Sequence, residues 1–373
     1  MRRRILKMSI YLALAVLCMG AGAYAVFHQA KFGRHPEGAR LTRVEASPDY
    51  KDGEFRNTVP TPMLAEGQSS IKIMLGSLFS GPERLRPEER LPTVKHDLRS
   101  LDPDIDTLVW LGHSSYFILA GGKRILVDPV FSGYGAPFSM FNKIFPGTDF
   151  YSAADMPEID YLLISHDHWD HLDYRTVTAL MPKTGKAVMP LGVGAHFEHW
   201  GYPQDKIVEA EWNDVLRLSD ALTIHVVPAR HYSGRGFTRN KTLWAGFVLE
   251  SGGVRIFLSG DTGYGPHIGE LARKFGGFDL AAIDGGQYDP RWPLIHMTPE
   301  EAVASAEELG AKAMMLAHAG RFAIAAHSWD EPFIRAERAV KGKAFPLLTP
   351  KIGEPVCLDG REQVFTHWWE GRK

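Results

Sequence analysis

The stretch YLLISHDHWDHLD, residues 161–173, constrains the fold more than any other part of this 373-residue chain. An apolar run of strand type stops at Ser165, and three histidines and three aspartates crowd the eight residues that follow. His166 and His168 are two apart, so an extended backbone turns both rings to one side. Asp170 and His171 come a turn later and face a second point close by. Imidazole nitrogen and carboxylate oxygen suit zinc, which in catalytic sites keeps a position open for water. The pattern therefore predicts a metal site at the edge of a sheet.

Other apolar runs end in the same way. His231 follows LTIHVVP in the glycine-rich loop PARHYSGRG, Asp261 ends a strand in FLSGDTGYG, and His318 ends another in MMLAHAGRF. The only cysteines are Cys18 and Cys357, which excludes a disulfide framework and a cysteine zinc cluster. Histidine and carboxylate must then hold any metal. Taken alone, SGDTGYG could be a phosphate-cradling turn, although it lacks the lysine of a P-loop. Asp128 in LVDPVF reads as an acceptor that orients a ligand histidine, against a structural turn before Pro129. His113 in WLGHSS is left between a pocket and a structural role. His225 alternates with Ile224 and Val226 and reads as structural, and His196 and His199 as packing or solvent-facing.

The N-terminus differs from the rest. MRRRILK carries four positive charges, and Met8 to Phe27 is uncharged, about the twenty residues needed to span a bilayer. The same pattern suits a signal peptide, with Ala23-Tyr24-Ala25 as a small-residue cleavage site. Cys18 follows Leu17, not a small residue, and is not read as lipidated. Basic residues before the apolar segment predict a cytoplasmic N-terminus and an exported body. A formal net charge of −2 offers no basic surface for nucleic acid.

Three parts are expected: residues 1–27 as anchor or signal, 28–104 as a lead-in arm, and 105–373 as the catalytic domain. In the arm, Ile71, Met74, Leu75, Leu78 and Phe79 recur at helical spacing and predict a short amphipathic helix that packs on the main domain or touches a membrane. From residue 105, DTLVWLG, SYFILA, KRILVD, IDYLLIS, LTIHVVPA, LWAGFVLE, VRIFLSG, FDLAAID and AKAMMLAH read as strands. YRTVTALM, HIGELARKF and TPEEAVASAEELG read as helices, the last with a capping threonine and proline at the first helical position. Strand clusters mixed with single helices predict a layered α/β sandwich, two sheets with helices outside.

HDHWDH matches the H-x-H-x-D-H signature, and over most of residues 105–350 the chain resembles the metallo-β-lactamase superfamily. The resemblance implies an αββα four-layer sandwich and a dinuclear zinc site, with iron or manganese as alternative metals. It implies one metal on His166, His168 and His231, a second on Asp170, His171 and His318, and Asp261 between them. LGHSSYFI, LVDPVFS, ISHDHWDHLDY, SGDTGYGP, HMTPEEA and AHAGRFAIAAH are closer still to the N-acyl-phosphatidylethanolamine-hydrolysing phospholipase D branch. There the histidines matching His296 and His327 lie near the substrate. DGGQYDPRW replaces that branch's usual Pro-Ile-Gly-Ala-Tyr-Glu-Pro-Arg-Trp, and Ala319 and Arg321 stand where it often has tryptophan and threonine.

The implied activity is hydrolysis of a phospholipid-like phosphodiester, with Asp170 orienting the nucleophile and His296 or His327 assisting the leaving group or binding phosphate. Arg235 in SGRGF and Arg291 in DPRW are candidate contacts to the anion. Hydrolysis of lactones, phosphorylated sugars or β-lactams is the alternative. A membrane-tethered binding protein without catalysis is a third reading, disfavoured by intact residues at all seven ligand positions. Oligomeric state is left open.

Overall fold

The computed structural model describes residues 2–69, 72–73 and 82–372. The amphipathic helix expected around Ile71 to Phe79 lies outside the described residues. Strand-forming runs rich in β-branched and aromatic residues assemble two sheets. One has the order β15-β3-β4-β5-β6-β7-β8, formed by Pro355–Cys357, Thr107–Gly112, Ser115–Ala120, Lys123–Val127, Ile159–Leu163, Thr184–Pro190 and Ile207–Ala210. The other has the order β14-β13-β12-β11-β10-β9, formed by Met314–Ala317, Leu280–Asp284, Val254–Leu258, Gly246–Ser251, Leu222–Val227 and Val215–Ser219.

Each sheet joins an antiparallel meander to a parallel set. β3, β4 and β5 alternate in direction before the parallel β5-β6-β7-β8 ladder, and β9 to β12 alternate before the parallel β12-β13-β14 ladder. Parallel strands need crossovers, and parallel sheets need both faces covered. Helices supply the cover. In the first sheet, Val109, Leu111, Phe117, Leu126, Leu162 and Ile164 turn outward onto Val177, Leu180 and Phe197. These come from α3 (Tyr174–Leu180) and α4 (Gly194–His199). The alternate residues Leu108, Trp110, Tyr116, Ile118, Ile125 and Val127 turn inward, into one cluster with Ile224, Val226, Phe247 and Leu249 of the second sheet. Ile268, Leu271, Val303 and Ala306 cover that sheet's far face from α5 (Pro266–Phe275) and α6 (Pro299–Glu308). Period-two burial on both sheets thus gives the αββα order.

Helix ends follow local chemistry. Thr298 and Glu301 form the reciprocal capping box of α6, with Pro299 at the first helical position. The N-terminal apolar segment is helix α1 (Arg2–Phe27), and Lys7–Phe27 is long and apolar enough to cross a membrane, with no part of it buried. The chain then runs over the body through α2 (Gly38–Glu45) and the hairpin β1-β2 (Tyr50–Lys51 and Glu54–Phe55). Val44 and Phe55 enter the core, Arg40 pairs with Glu209, and Phe55 N donates to Asn240 O at 2.8 Å.

Candidate metal centre

β3, β5, β6, β10, β12, β13 and β14 run in a common direction within their sheets, and each ends at the same rim of the sandwich. The residues that leave those ends are His113, Asp128, the 166–171 loop, His231, Asp261, Asp284 and His318. A bridge between His113 and Ala319, and Ala245 N donating to Ser165 O at 2.9 Å, tie the two sheets together at this rim. Three non-glycine residues there, His113, Asp128 and His318, hold positive φ (56°, 40° and 61°). L-residues reach that region only against steric cost, and such strain gathers at functional sites. Gly260, at φ 60°, makes the turn into Asp261, and a Cβ there would stand 2.6 Å from Ala245 O.

All seven predicted ligands come together, in two groups. In the first, His168 Nδ1 lies 2.8 Å from His166 Nε2 and 3.2 Å from His231 Nε2, with Asp261 Oδ2 3.7 and 3.6 Å from the latter two. In the second, Asp170 Oδ2 is 3.1 Å from His318 Nε2 and 3.7 Å from His171 Nε2, while Asp261 Oδ1 is 3.1 Å from His171 Nε2. Asp261 Oδ2 also lies 3.3 Å from His318 Nε2, so this carboxylate stands between the groups.

This donor set fits cations. The donor atoms of His166, His168, His231 and Asp261 all lie within 4.8 Å of one another, close enough to share one ion. Buried His171 Nε2 and Asp261 Oδ1 have no hydrogen-bond partner among the described residues although they face each other. Groups behind the rings select which nitrogen points inward. His231 Nδ1 meets Ile295 O at 3.0 Å, and His171 Nδ1 meets Asp128 Oδ2 at 2.8 Å. Asp128 also accepts from Ser165 N at 2.7 Å, so it fixes the ring and the loop start together.

The two groups differ in charge. Burial lowers His166 and His231 well below the usual histidine range and His168 to about 4, leaving all three neutral at pH 7. Burial acts the same way on His318 and His171, but carboxylates outweigh it. Asp261, Asp170 and Asp284 hold His318 up at about 10, and Asp261, Asp170 and Asp128 hold His171 well above its ordinary value.

Of three further contributors, His113 has both a pocket and a structural reading in sequence, and Asp284 and Asn57 have no site reading. His113, fully buried, approaches Asp170 Oδ2 with Nε2 at 2.9 Å, which resolves it as a site residue. Asp284 stands 2.7 Å from His296 Nδ1 and 3.5 Å from His318 Nδ1, and occupies the position where the DGGQYDPRW segment departs from the branch's usual proline. Asn57 grips the backbone of His231 from both sides, Nδ2 donating to its O at 2.7 Å and Oδ1 accepting from its N at 3.0 Å. His196, expected to pack or face solvent, is buried against Asp167 Oδ2 at 3.1 Å and accepts from Arg34 N at 3.1 Å. Arg321 is also internal, donating to Leu111 O and Val130 O at 2.7 and 2.8 Å. His225 pairs with Glu250 at 2.7 Å, away from the rim.

Arg235, Arg291 and His327, expected as substrate contacts, are engaged elsewhere in this structure. Arg235 borders the cavity, but its guanidinium is spent on the carbonyls of Asp167, Leu172 and Lys31 and stacks 4.0 Å over Trp169. It is a clamp between the metal loop and the arm. Arg291 is held by both oxygens of Asp289 and does not line the cavity. His327 stacks on Tyr288 with centroids 4.5 Å apart and directs Nδ1 to Ser328 O, also outside the cavity lining. His296 does line it, stacked 4.8 Å from His318.

The ligand groups form the floor of an open cavity of about 390 Å³. His168, Asp170, Asp261, His296 and His318 lie at the bottom, and Phe27, Phe32, Trp169, Tyr232, Phe237 and Ile324 are on the walls.

A family model described as "Beta-lactamase superfamily domain" matches residues 123–319. An uncharacterized protein of Mycobacterium tuberculosis is 34% identical over 99% of this chain and 100% of its own length. N-acyl-phosphatidylethanolamine-hydrolyzing phospholipase D 1 of Caenorhabditis elegans is 30% identical, over 69% of this chain and 81% of its own. Among solved structures, a possible metal-dependent hydrolase from Veillonella parvula superposes with a TM-score of 0.51 at 15% identity, over 68% of this chain and 99% of that one. With the His and Asp groups at the rim, these matches carry one conclusion: the chain belongs to the metallo-β-lactamase superfamily, in its N-acyl-phosphatidylethanolamine-hydrolysing phospholipase D-like branch, and is a metal-dependent hydrolase.

Proposed function

We propose that the protein is a two-zinc phosphodiesterase of phospholipase D type, acting on N-acyl-phosphatidylethanolamine-like lipids from a membrane-anchored N-terminus with its catalytic body exported. The observation that carries this reading is Asp261. It lies against His231 of one group and against His318 and His171 of the other, so it would contribute to holding an ion at either group. Nitrogen and oxygen donors without thiolate favour zinc, with iron or manganese as alternatives. Bound metal supplies Lewis acidity at phosphorus and lowers the pKa of water to about 7.

The chain's own groups do the rest. Asp170 Oδ2 is held by His113 Nε2 at 2.9 Å, which leaves Oδ1, with no hydrogen bond among the described residues, to orient a water. His296 is pinned through Nδ1 by Asp284, so Nε2 is turned to hold a phosphoryl oxygen or give a proton to the departing alcohol. Water oxygen joins phosphorus, the bond to the alcohol oxygen breaks, and that oxygen gains the proton. The aromatic walls limit water and suit an amphiphile.

Hydrolysis in oxygen-18 water tests the reading. Label is expected in the phosphomonoester and not in the alcohol. Ready turnover of lactones or β-lactams without turnover of phosphodiesters would transfer the assignment to the alternative hydrolase class, leaving fold and ligands unchanged.

A further inference from the structure

The end of the apolar helix and the mouth of the cavity are the same place. Lys7–Phe27 is 21 residues, about 32 Å of helix against about 30 Å of bilayer hydrocarbon, so an inserted α1 is used up at Phe27. Phe27 then packs on Phe237 with ring centroids 4.6 Å apart and on Phe32 at 5.3 Å, and Phe32 meets Trp169 at 5.1 Å. Phe27, Phe32, Trp169 and Phe237 all line the cavity.

No slack separates the helix from the body. Ala30 O already accepts from Trp200 Nε1 at 2.7 Å, and Lys31 Nζ donates to Pro137 O at 2.7 Å. Lys31 O accepts from Arg235 at 2.9 Å. A flexible tether would let the catalytic body float above a membrane, whereas this clamp fixes the mouth at the level where the helix leaves the hydrocarbon.

The rim has the matching surface. Phe237 is 85% exposed, and Met140 and Phe141, in the same loop as the cavity-lining Pro137 and Asn142, are 71% and 55% exposed. Large apolar side chains bared together beside a cavity mark an interaction surface. Their continuity with α1 identifies its occupant as lipid.

We propose that the cavity mouth is seated in the bilayer interface, with Phe237, Met140 and Phe141 inserted among acyl chains beside the end of α1. Substrate then passes from that leaflet to the metal-ligand floor without crossing bulk water. This rests on the reading of α1 as a retained anchor, and it specifies the substrate's source as the leaflet itself.

The test uses the full chain in phosphatidylcholine vesicles, with Cys18→Ser and Cys357→Ser removing the native thiols. A polarity-sensitive fluorophore is placed at Phe237→Cys or, as a control, at Val364→Cys, where the native side chain is 87% exposed. The label at 237 should be blue-shifted and quenched by doxyl lipid, and the label at 364 quenched by aqueous iodide. Equal iodide access at both positions overturns the proposal, as does a mature chain that begins at Val26. Met140→Asp with Phe141→Asp should cut turnover of vesicle lipid about tenfold or more, with a water-soluble phosphodiester within about twofold of the unaltered protein. An equal loss on both substrates overturns it. A lipid-quenched label at 237 in a protein that hydrolyses no phosphodiester supports the docking and defeats the phosphodiesterase reading instead.

Discussion

The two halves of the metal centre are built from the same residue types and stand in opposite states before any ion arrives. Desolvation is the largest influence on His166, His168 and His231 and holds all three below the ordinary histidine value, against the pull of Asp261 and, on His168, of Asp170 and Asp167 as well. His171 and His318 are buried among Asp128, Asp170, Asp261 and Asp284, and the carboxylates hold protons on them. The first group's histidines are thus held below their ordinary value and the second group's above it. Burial alone does not set a histidine's state: the carboxylates outweigh it at His171 and His318 and do not at His168.

The largest effects should come from cutting the comparison at its seam. Asp261→Ala removes the carboxylate common to both halves, and elemental analysis after zinc reconstitution should show loss of metal from both, with activity abolished. His168→Ala and His318→Ala should each lose one ion. If each instead empties the whole centre, the halves are not separable.

Acidity should sharpen the difference. An ion entering the second half must expel protons that His318 retains up to about pH 10, so its affinity rises with pH across the neutral range. Each displaced proton is worth about tenfold per pH unit, and with two histidines the slope approaches about a hundredfold. The first-half histidines are already deprotonated at pH 7, so affinity there should be nearly flat until pH falls toward about 4, where His168 protonates. Chelator-competition titrations at pH 6, 7 and 8 on His168→Ala and His318→Ala read the two slopes apart. Equal slopes would erase the distinction.

Smaller still is the effect of the support behind a ligand. Asn57→Ala should weaken the ion of the first half by about tenfold without unfolding the protein, since it frees the His231 backbone but removes no donor. The smallest change is on the second sheet's outer face, where His225 packs against Phe275. His225→Ala should leave turnover intact and cost about 1 kcal/mol or less by thermal melt, because its pair with Glu250 is partly exposed.

Much of this centre is legible in sequence because its ligands sit immediately after apolar strands, and four of them fall within six residues of each other. The layered sandwich is legible for the same reason, from long buried runs such as SYFILA and LTIHVV. Other elements carry too little pattern. β8 is four residues long, and β9 is an edge strand with no fully buried residue, so neither offers a strong period-two signal. Asp284 looks like the last residue of an ordinary strand, and Asn57 like a polar residue of a loop. Only the folded path brings the first beside His296 and the second beside His231. Arg235 fails in the opposite direction. A cation in a glycine-rich loop next to a ligand looks free, and only the carbonyls around it reveal that it is engaged.

The grip of Asn57 on His231 also bears on how such a chain can be divided or inherited. All seven ligands lie between residues 166 and 318, inside the segment that matches the family, while Asn57 and the Ala30–Lys31 contacts lie far upstream of it. A gene fusion that borrowed only residues 123–319 would transmit Asp128 and Ile295 behind His171 and His231, but would leave behind Asn57 and the contacts of the arm. The arm and the family segment are therefore expected to travel together when such a chain is recombined.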